Sequence, residues 1–420
     1  EACMFFVDGF AKDEIMEKLL EFFYGIQDED LLRDAHTFSK SCVPYCEVAI
    51  SGEEDTIVGQ ILSGVWAVFV DGMDQCVLID QRTYPQRTTS EPDQDKSFRG
   101  SRDGFVETMV FNAALIRRRI RSPRLCVEHL EVGETSRTDV AVCYFEGRAD
   151  PELVNTVRER IAQARVDALT MNQESLAELL VRKRWYNPFP KFKFTERPDA
   201  AAAQTLEGDV VVLVDNSPAA IILPTTLFDV MEEANDYYFP PITGSYLRLV
   251  RFFTTFLTTF LTPVWLLLIQ EPERVPGWLE FILMEEPAQV PPLLQLLILE
   301  LAIDGLKLAA LNTPNILTTS FSMIGAIILG DFAVQSGWFS AEVMLYMAVV
   351  AIANYNQPNL ELGYALKFMR LILLVATGLL GLWGFVGGAA LLFLVLVSNR
   401  TISGQCYLYP LVPFNGGELK

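Results

Sequence analysis

Glu300, Asp304 and Lys307 interrupt an apolar stretch, residues 291–313, that reads PPLLQLLILELAIDGLKLAALNT. The stretch is long enough to cross a bilayer, which takes roughly 20 residues. On a helix the three charges fall at i, i+4 and i+7, one polar stripe on a rod otherwise suited to lipid. A charge at mid-bilayer costs about 3 kcal/mol unless it is paired or wetted, so it faces a bundle interior or an aqueous path. Two kinds of chemistry fit. Glu300 and Asp304 attract cations along a path, as acidic rings do in cation channels, with Lys307 setting the charge balance and Asn312 at the end of the stretch. Alternatively, the acids and Lys307 neutralise one another and pin this helix to its neighbours, passing nothing.

The elements that must position this stripe are themselves apolar. An aromatic and proline-rich collar, Asp236-Tyr237-Tyr238-Phe239-Pro240-Pro241, leads into a span over residues 246–269. Arg248 and Arg251 at its start are expected on the cytoplasmic side, which places the preceding half of the chain inside. Residues 270–291 form an acidic loop, amphipathic around residues 278–284, that lies in the interface or re-enters. Further spans are expected near residues 316–333 and 343–355. The apolar tract 362–397 is too long for one helix in a hydrocarbon core of about 30 Å, so it is split near Gly381 and Gly384. Asp331, Glu342, Glu361, Lys367 and Arg370 fall near span ends, where polar residues snorkel as anchors.

Before residue 240 the pattern changes to short alternating strands and amphipathic helices. A strand at residues 3–7, a helix opened by Asp13 and Glu14, a helix near residues 29–39, a strand after Pro44, a helix reaching Leu62 and a hairpin over residues 65–79 follow in order. The same grammar returns. Phe145-Glu-Gly147-Arg-Ala149 matches Val7-Asp-Gly9-Phe-Ala11, and the ten residues from Leu206 to Asp215 match those from Leu62 to Asp71 without a gap. Two copies of one small α/β unit are inferred. Between them, residues 82–102 form a long polar connector. The helix expected over residues 104–120 ends in Arg117, Arg118, Arg119 and Arg121. Arginines there complement the helix dipole, and their guanidinium groups suit an inter-subunit or lipid-headgroup contact.

The expected fold class is therefore an α/β soluble N-terminal region of two similar duplicated subdomains, followed by an α-helical membrane domain of five or six spans. The segments are residues 1–103, 104–240 and 241–420. A formal net charge of −20 argues against nucleic acid as a partner. Seven cysteines without paired spacing and two histidines give no zinc template, and no nucleotide-binding glycine loop or catalytic set is present. No metal, cofactor or enzymatic activity is expected, and the cysteines are expected reduced and buried. The sequence opens on Glu1 with no basic-apolar signal segment, so it is expected to lack its native start.

Long motifs in both halves carry a family resemblance: GSRDGFVETMVFNAALIRRRIRSPRL from Gly100, VGETSRTDVAVCYFEGRADPELV from Val132, VVVLVDNSPAAIILPTTLFDV from Val210, ELAIDGLKLAALNTP from Glu300, GDFAVQSGWFSAEVMLYMAVVAIANYNQPNLELGYALKFMRL from Gly330 and ISGQCYLYPLVPFN from Ile402. The chain resembles the GerA family of spore germination proteins nearly end to end. Germinant-receptor members carry Arg-Glu-Ala where this chain has Ile303-Asp304-Gly305, a departure that favours the sporulation branch over direct germinant sensing. The resemblance implies a multi-pass protein of the spore inner membrane, its N-terminal region facing the spore core. It also implies a homo-oligomeric ring that conducts ions and amplifies the germination signal, and a small membrane partner protein. Its rival is a non-conducting scaffold that clusters germinant receptors.

Overall fold

In a computed structural model of the chain, the described residues are 2–7, 13–27, 31, 34–43, 46–82, 101–181, 186–233, 235–284, 289–312 and 333–414. They form two compact units, Glu1–Thr88 and Thr89–Lys420.

The first unit contains β1 (Ala2–Phe5), α1 (Asp13–Tyr24), α2 (Ala35–Ser41), β2 (Glu47–Ser51), α3 (Glu54–Leu62), β3 (Trp66–Val70) and β4 (Cys76–Asp80). Its sheet is antiparallel throughout, in the order β1-β3-β4-β2. The strands alternate, so one face sends Trp66, Val68, Val77 and Ile79 against Leu19 and Phe38 of α1 and α2. The other sends Ala67, Cys76 and Leu78 against Ile57 of α3. Asp34 starts α2 by accepting a hydrogen bond from the Thr37 amide at 3.1 Å.

The second unit begins with α4 (Met109–Arg119), β5 (Leu125–Val132), β6 (Thr138–Phe145), α5 (Pro151–Ala162), α6 (Gln173–Leu180), β7 (Lys193–Thr195), α7 (Pro198–Glu207), β8 (Val210–Val214) and β9 (Ala220–Leu223). Its antiparallel sheet runs β5-β6-β8-β9-β7. Without β5 this is the order of the first sheet, strand for strand, and the register agrees residue by residue. Ala2 pairs with Val70 as Val140 pairs with Val214. Trp66 pairs with Ile79 as Val210 with Leu223, and Ser51 with Cys76 as Thr195 with Ala220. A one-residue slip would exchange the two faces of every strand, so this agreement places the same faces toward the same layers in both sheets. Gly64 and Gly208 sit at the same turn, with φ of 95° and 116°.

After α8 (Leu227–Met231) and α9 (Asn235–Tyr238) come α10 (Pro241–Gln270), α11 (Pro292–Asn312), α12 (Ala341–Tyr355) and α13 (Leu360–Ser398). α10 and α13 are long and apolar enough to cross a membrane. The acidic loop makes two short 3-10 turns, Pro272–Arg274 and Gly277–Ile282, with Trp278 and Phe281 exposed. The span expected near 316–333 lies almost wholly outside the described residues.

The 39 residues of α13 would measure about 58 Å as one rod, nearly twice the hydrocarbon thickness. The helix instead breaks at Gly381, where φ is 57° and ψ is −135°. Beyond the break the chain folds back, and Leu392 packs with Leu362, Ala365, Leu366 and Met369 in one cluster. The hairpin returns the C-terminal segment to the α/β layer. The Leu227 amide donates to the Tyr407 carbonyl at 2.9 Å, Lys191 Nζ donates to the Arg400 carbonyl at 2.8 Å, and Asn187 Nδ2 donates to Asn399 Oδ1 at 3.0 Å.

A Cβ at Gly208 would lie 2.9 Å from the Arg148 carbonyl oxygen, at a φ that side-chain-bearing residues rarely adopt. Gly208→Ala is expected to destabilise the fold by about 1–3 kcal/mol, read as a lower melting temperature with unchanged secondary structure.

Candidate functional site

The charges of the central stretch meet partners from a helix distant in sequence. Glu300 and Asp304, four apart on α11, face Lys367 and Arg370, three apart on α13, and both spacings put a pair on one helical face. Lys367 lies 3.5 Å from Glu300 and is paired with Asp304, while Arg370 is paired with Glu300. Arg370 also donates from Nη1 to the Thr258 carbonyl of α10 at 2.7 Å. The cluster therefore ties three helices together and sums to zero charge. Glu300, Lys367 and Arg370 are at most 5% exposed, whereas the Asp304 side chain is 28% exposed. Among the described residues, buried Asp304 Oδ1 and Arg370 Nε, together with the Thr258 and Thr262 hydroxyls, have no hydrogen-bond partner.

Lys307 does not join this cluster. Its ammonium lies 4.5 Å from the Tyr355 ring centroid and 5.7 Å from that of Tyr364, a cation–π arrangement between the ends of α12 and α13. With the Asn354 amide nitrogen donating to the Gly363 carbonyl, its oxygen accepts from Lys307 at 3.3 Å. The reading in which Lys307 neutralises Glu300 and Asp304 is thus corrected, because Lys367 and Arg370 already fill that role. The reading of Lys367 and Arg370 as snorkelling anchors is corrected with it. They stand about 10 and 15 Å along α13 from its start and point inward to the acids.

The remaining residues singled out from sequence lie elsewhere. Asn312 ends α11, and Asp331 is outside the described residues. Glu342 and Glu361 occupy the first turns of α12 and α13, where acids favour the helix dipole. Arg117 donates to the Ser122 and Leu125 carbonyls at 2.9 and 2.7 Å, and Arg119 pairs with Asp103 at 2.6 Å, so both fasten their own loop. Arg118 and Arg121 remain exposed. None of the seven cysteines forms a disulfide, and Cys3 is exposed, against the expectation of burial. Among the described residues, no group of three or more metal-ligating side chains comes together.

Sequence reasoning missed the threonines that share the buried seam. Thr258, Thr259 and Thr262 of α10 and Thr377 of α13 are all at most 3% exposed. Their signal was present: hydroxyls recurring at helical spacing through an apolar span mark a face turned from lipid.

A second polar constellation lies where the α/β layer meets α10. Arg251 is buried and donates to Asp236 at 2.6 Å and Glu233 at 2.8 Å, while Arg248 lies 3.6 Å from Glu232. Beside them a cavity of about 610 Å³ is lined by Arg148, Glu207, Asp209, Asp229, Arg248 and Tyr409, among others. Burial, reinforced by the neighbouring Asp229 and Glu207 carboxylates and only partly offset by Lys193, pushes the Asp209 carboxyl up to about 8. Burial likewise raises Asp229 and Glu207 above the ordinary carboxylate range.

The whole chain, residues 1–420, matches the family described as Bacillus/Clostridium GerA spore germination protein. It is 43% identical over 365 residues to stage V sporulation protein AF of Bacillus subtilis, covering 87% of this chain and 74% of that protein. It is 27% identical over 420 residues to the protein of the same organism named uncharacterized membrane protein YfkQ, covering 99% and 81%. To spore germination protein KA of B. subtilis it is 27% identical over 401 residues, covering 94% and 73%. With its two long apolar helices, the chain is a membrane protein.

Two outcomes follow from the charges. Glu300→Leu leaves buried cations short of a counter-charge and is expected to cost about 3–5 kcal/mol, whereas the double variant Glu300→Leu/Arg370→Leu recovers much of that loss in detergent melting experiments. Asp209 has a folded-state pKa raised from 3.8 to about 8, so the stability it permits is full at low pH and is lost as pH climbs to about 8. Asp209→Asn is expected to flatten that decline, melting progressively higher than the parent between pH 4 and 8 and by a constant margin above.

Proposed function

This chain belongs to the GerA family of spore germination proteins, and from that premise we propose that it is an oligomeric, ion-conducting subunit that amplifies the germination signal. On this reading it sits in the spore inner membrane as a five- or six-span protein, with its α/β region toward the spore core. The observation that carries the reading is the state of Asp304. Glu300 is held between two cations, but Asp304 has a partly exposed side chain and keeps one buried carboxylate oxygen without a hydrogen-bond partner among the described residues. That oxygen is enclosed in the bundle, so it would replace a cation's water only along a path that runs between the helices. Glu300 and Arg370 hold the helix geometry, Asp304 contributes the attracting charge, and Lys307 bounds the acidic stretch in its aromatic setting. The ring of copies, the small membrane partner and the association with germinant receptors belong to the same proposal.

The balance of charge favours one rival. A cluster that sums to zero serves equally as fixed glue in a scaffold that gathers receptors and passes nothing.

Cation flux through the purified protein in liposomes separates the two. Asp304→Asn, with insertion and melting temperature matched to the parent, is expected to lower flux at least tenfold. Equal flux from parent and variant removes Asp304 from the path. Absence of flux from the parent, with and without its small membrane partner, leaves the scaffold.

A further inference from the structure

A cavity of about 1180 Å³ opens where the α/β layer meets the two ends of the α13 hairpin, and it shares no lining residue with the buried charge cluster or with the acidic cavity beside α10. Its walls differ in kind. The helical wall is made by Tyr364 and Phe368 on the first leg and by Leu394 and Val395 on the second. Tyr364, Phe368 and Leu394 are 38%, 49% and 63% exposed. The facing wall carries Arg160 from the last turn of α5 and Lys191 from the segment before β7, with Arg400 just beyond α13. Lys191 is fixed there, its Nζ donating to the Asn399 side chain and to the Arg400 carbonyl at 2.8 Å. Arg160 donates to the Leu180 carbonyl, and both arginines are exposed. Against these three cations the lining holds two carboxylates, Glu174 and Glu361. Polarity is also graded along the helical wall. From Phe368 through Tyr364 to Glu361, steps of four and three residues keep to one helical face, and the side chains pass from apolar to charged over about 10 Å. The return leg does the same, from Leu394 and Val395 to Ser398 and then Arg400.

We propose that this cavity binds a phospholipid with an anionic headgroup, its phosphate on Arg160, Lys191 and Arg400 and an acyl chain against Phe368 and Leu394. Guanidinium groups pair bidentately with phosphate, and a basic pocket at the ends of membrane helices is an arrangement that selects anionic lipid heads. The apolar wall decides between a lipid and a soluble phosphate. A free phosphate or its small esters would leave Phe368 and Leu394 unused, whereas a helix that spans a bilayer has acyl chains for neighbours beyond its first turns. The two walls are joined by chain at one end only, so a lipid seated between them adds a tie from α5 to both legs of α13. The assignment rests on α13 lying in the membrane, and not on whether ions pass through the bundle.

Photo-crosslinking in vesicles tests this. The full chain carrying Leu394→p-benzoylphenylalanine, or Leu379→p-benzoylphenylalanine as a control exposed on α13 near the turn of the hairpin, is reconstituted in an equal mixture of phosphatidylglycerol and phosphatidylcholine with the same acyl chains. Lipid adducts are read by peptide mass spectrometry. The ratio of phosphatidylglycerol to phosphatidylcholine adducts at Leu394 is expected to exceed that at Leu379 by roughly tenfold, and to fall to the Leu379 value in Arg160→Gln/Arg400→Gln with melting temperature matched to the parent. Arg400→Gln alone, which keeps the Arg160 bond to Leu180, is expected to remove part of the enrichment. Equal ratios at the two positions overturn the proposal, as does enrichment that survives loss of both arginines. Adducts at Leu379 with none at Leu394 assign the wall to protein and overturn it as well. So does loss of the enrichment when glycerol phosphate is present at the lipid's own concentration, which gives the basic groups to a soluble phosphate.

Discussion

Burial of full charges in an apolar bundle is the constraint on which the helical region depends. A lone carboxylate or guanidinium at that depth would be neutralised or expelled, so Glu300 fixes where α11 and α13 lie as much as any apolar contact does. Because Arg370 also takes the Thr258 carbonyl, α10 is drawn into the same arrangement. Three helices are therefore held by one set of directional bonds, where leucine packing alone would leave their rotation less defined. Around this core, Trp265, Leu296, Val343 and Leu374 supply the non-directional remainder.

Much of this was legible in the residues. The hairpin in α13 followed from length and from glycine, since an apolar tract of that extent has to turn and Gly381 is able to adopt the necessary φ. The repeated α/β unit followed from short strings such as Leu206 to Asp215, because a glycine after a helix and an aspartate after a strand mark turns that only a given backbone path requires. Partner choice was not legible in the same way. Arg370 and Glu300 are 70 residues apart in sequence, and Lys367 and Asp304 are 63 apart. Pairing over such distances is set by how helices pack, which local periodicity does not encode. Lys307 misled for a related reason. On one helix it lies within reach of Asp304, but a stronger competitor from α13 occupies that carboxylate and leaves the lysine to Tyr355 and Tyr364.

The arginines of α4 illustrate the same limit from the other side. Their number suggests a surface, yet Arg117 and Arg119 are spent on the loop that leads into β5 and on Asp103. Asp215, a hairpin-turn residue by sequence, reaches across to accept from the Met109 amide at 3.0 Å and so sets where α4 begins. The short-range role and the long-range one are performed by the same carboxylate. Only the second explains why α4 lies flat across β6 and β8.

The return of the chain after Gly381 makes the helical region a closed mechanical linkage. Leu227 precedes the first long helix and Tyr407 follows the last, yet their backbones are bonded to each other. Everything between them is a loop with both ends fixed to one point of the α/β layer. Displacement of α13 along its axis would load the bond between Tyr407 and Leu227 and so act on α8, which follows the strand β9. The sheet and the buried charges are thus joined through hydrogen-bonded as well as covalent chain, from both ends of the helical region.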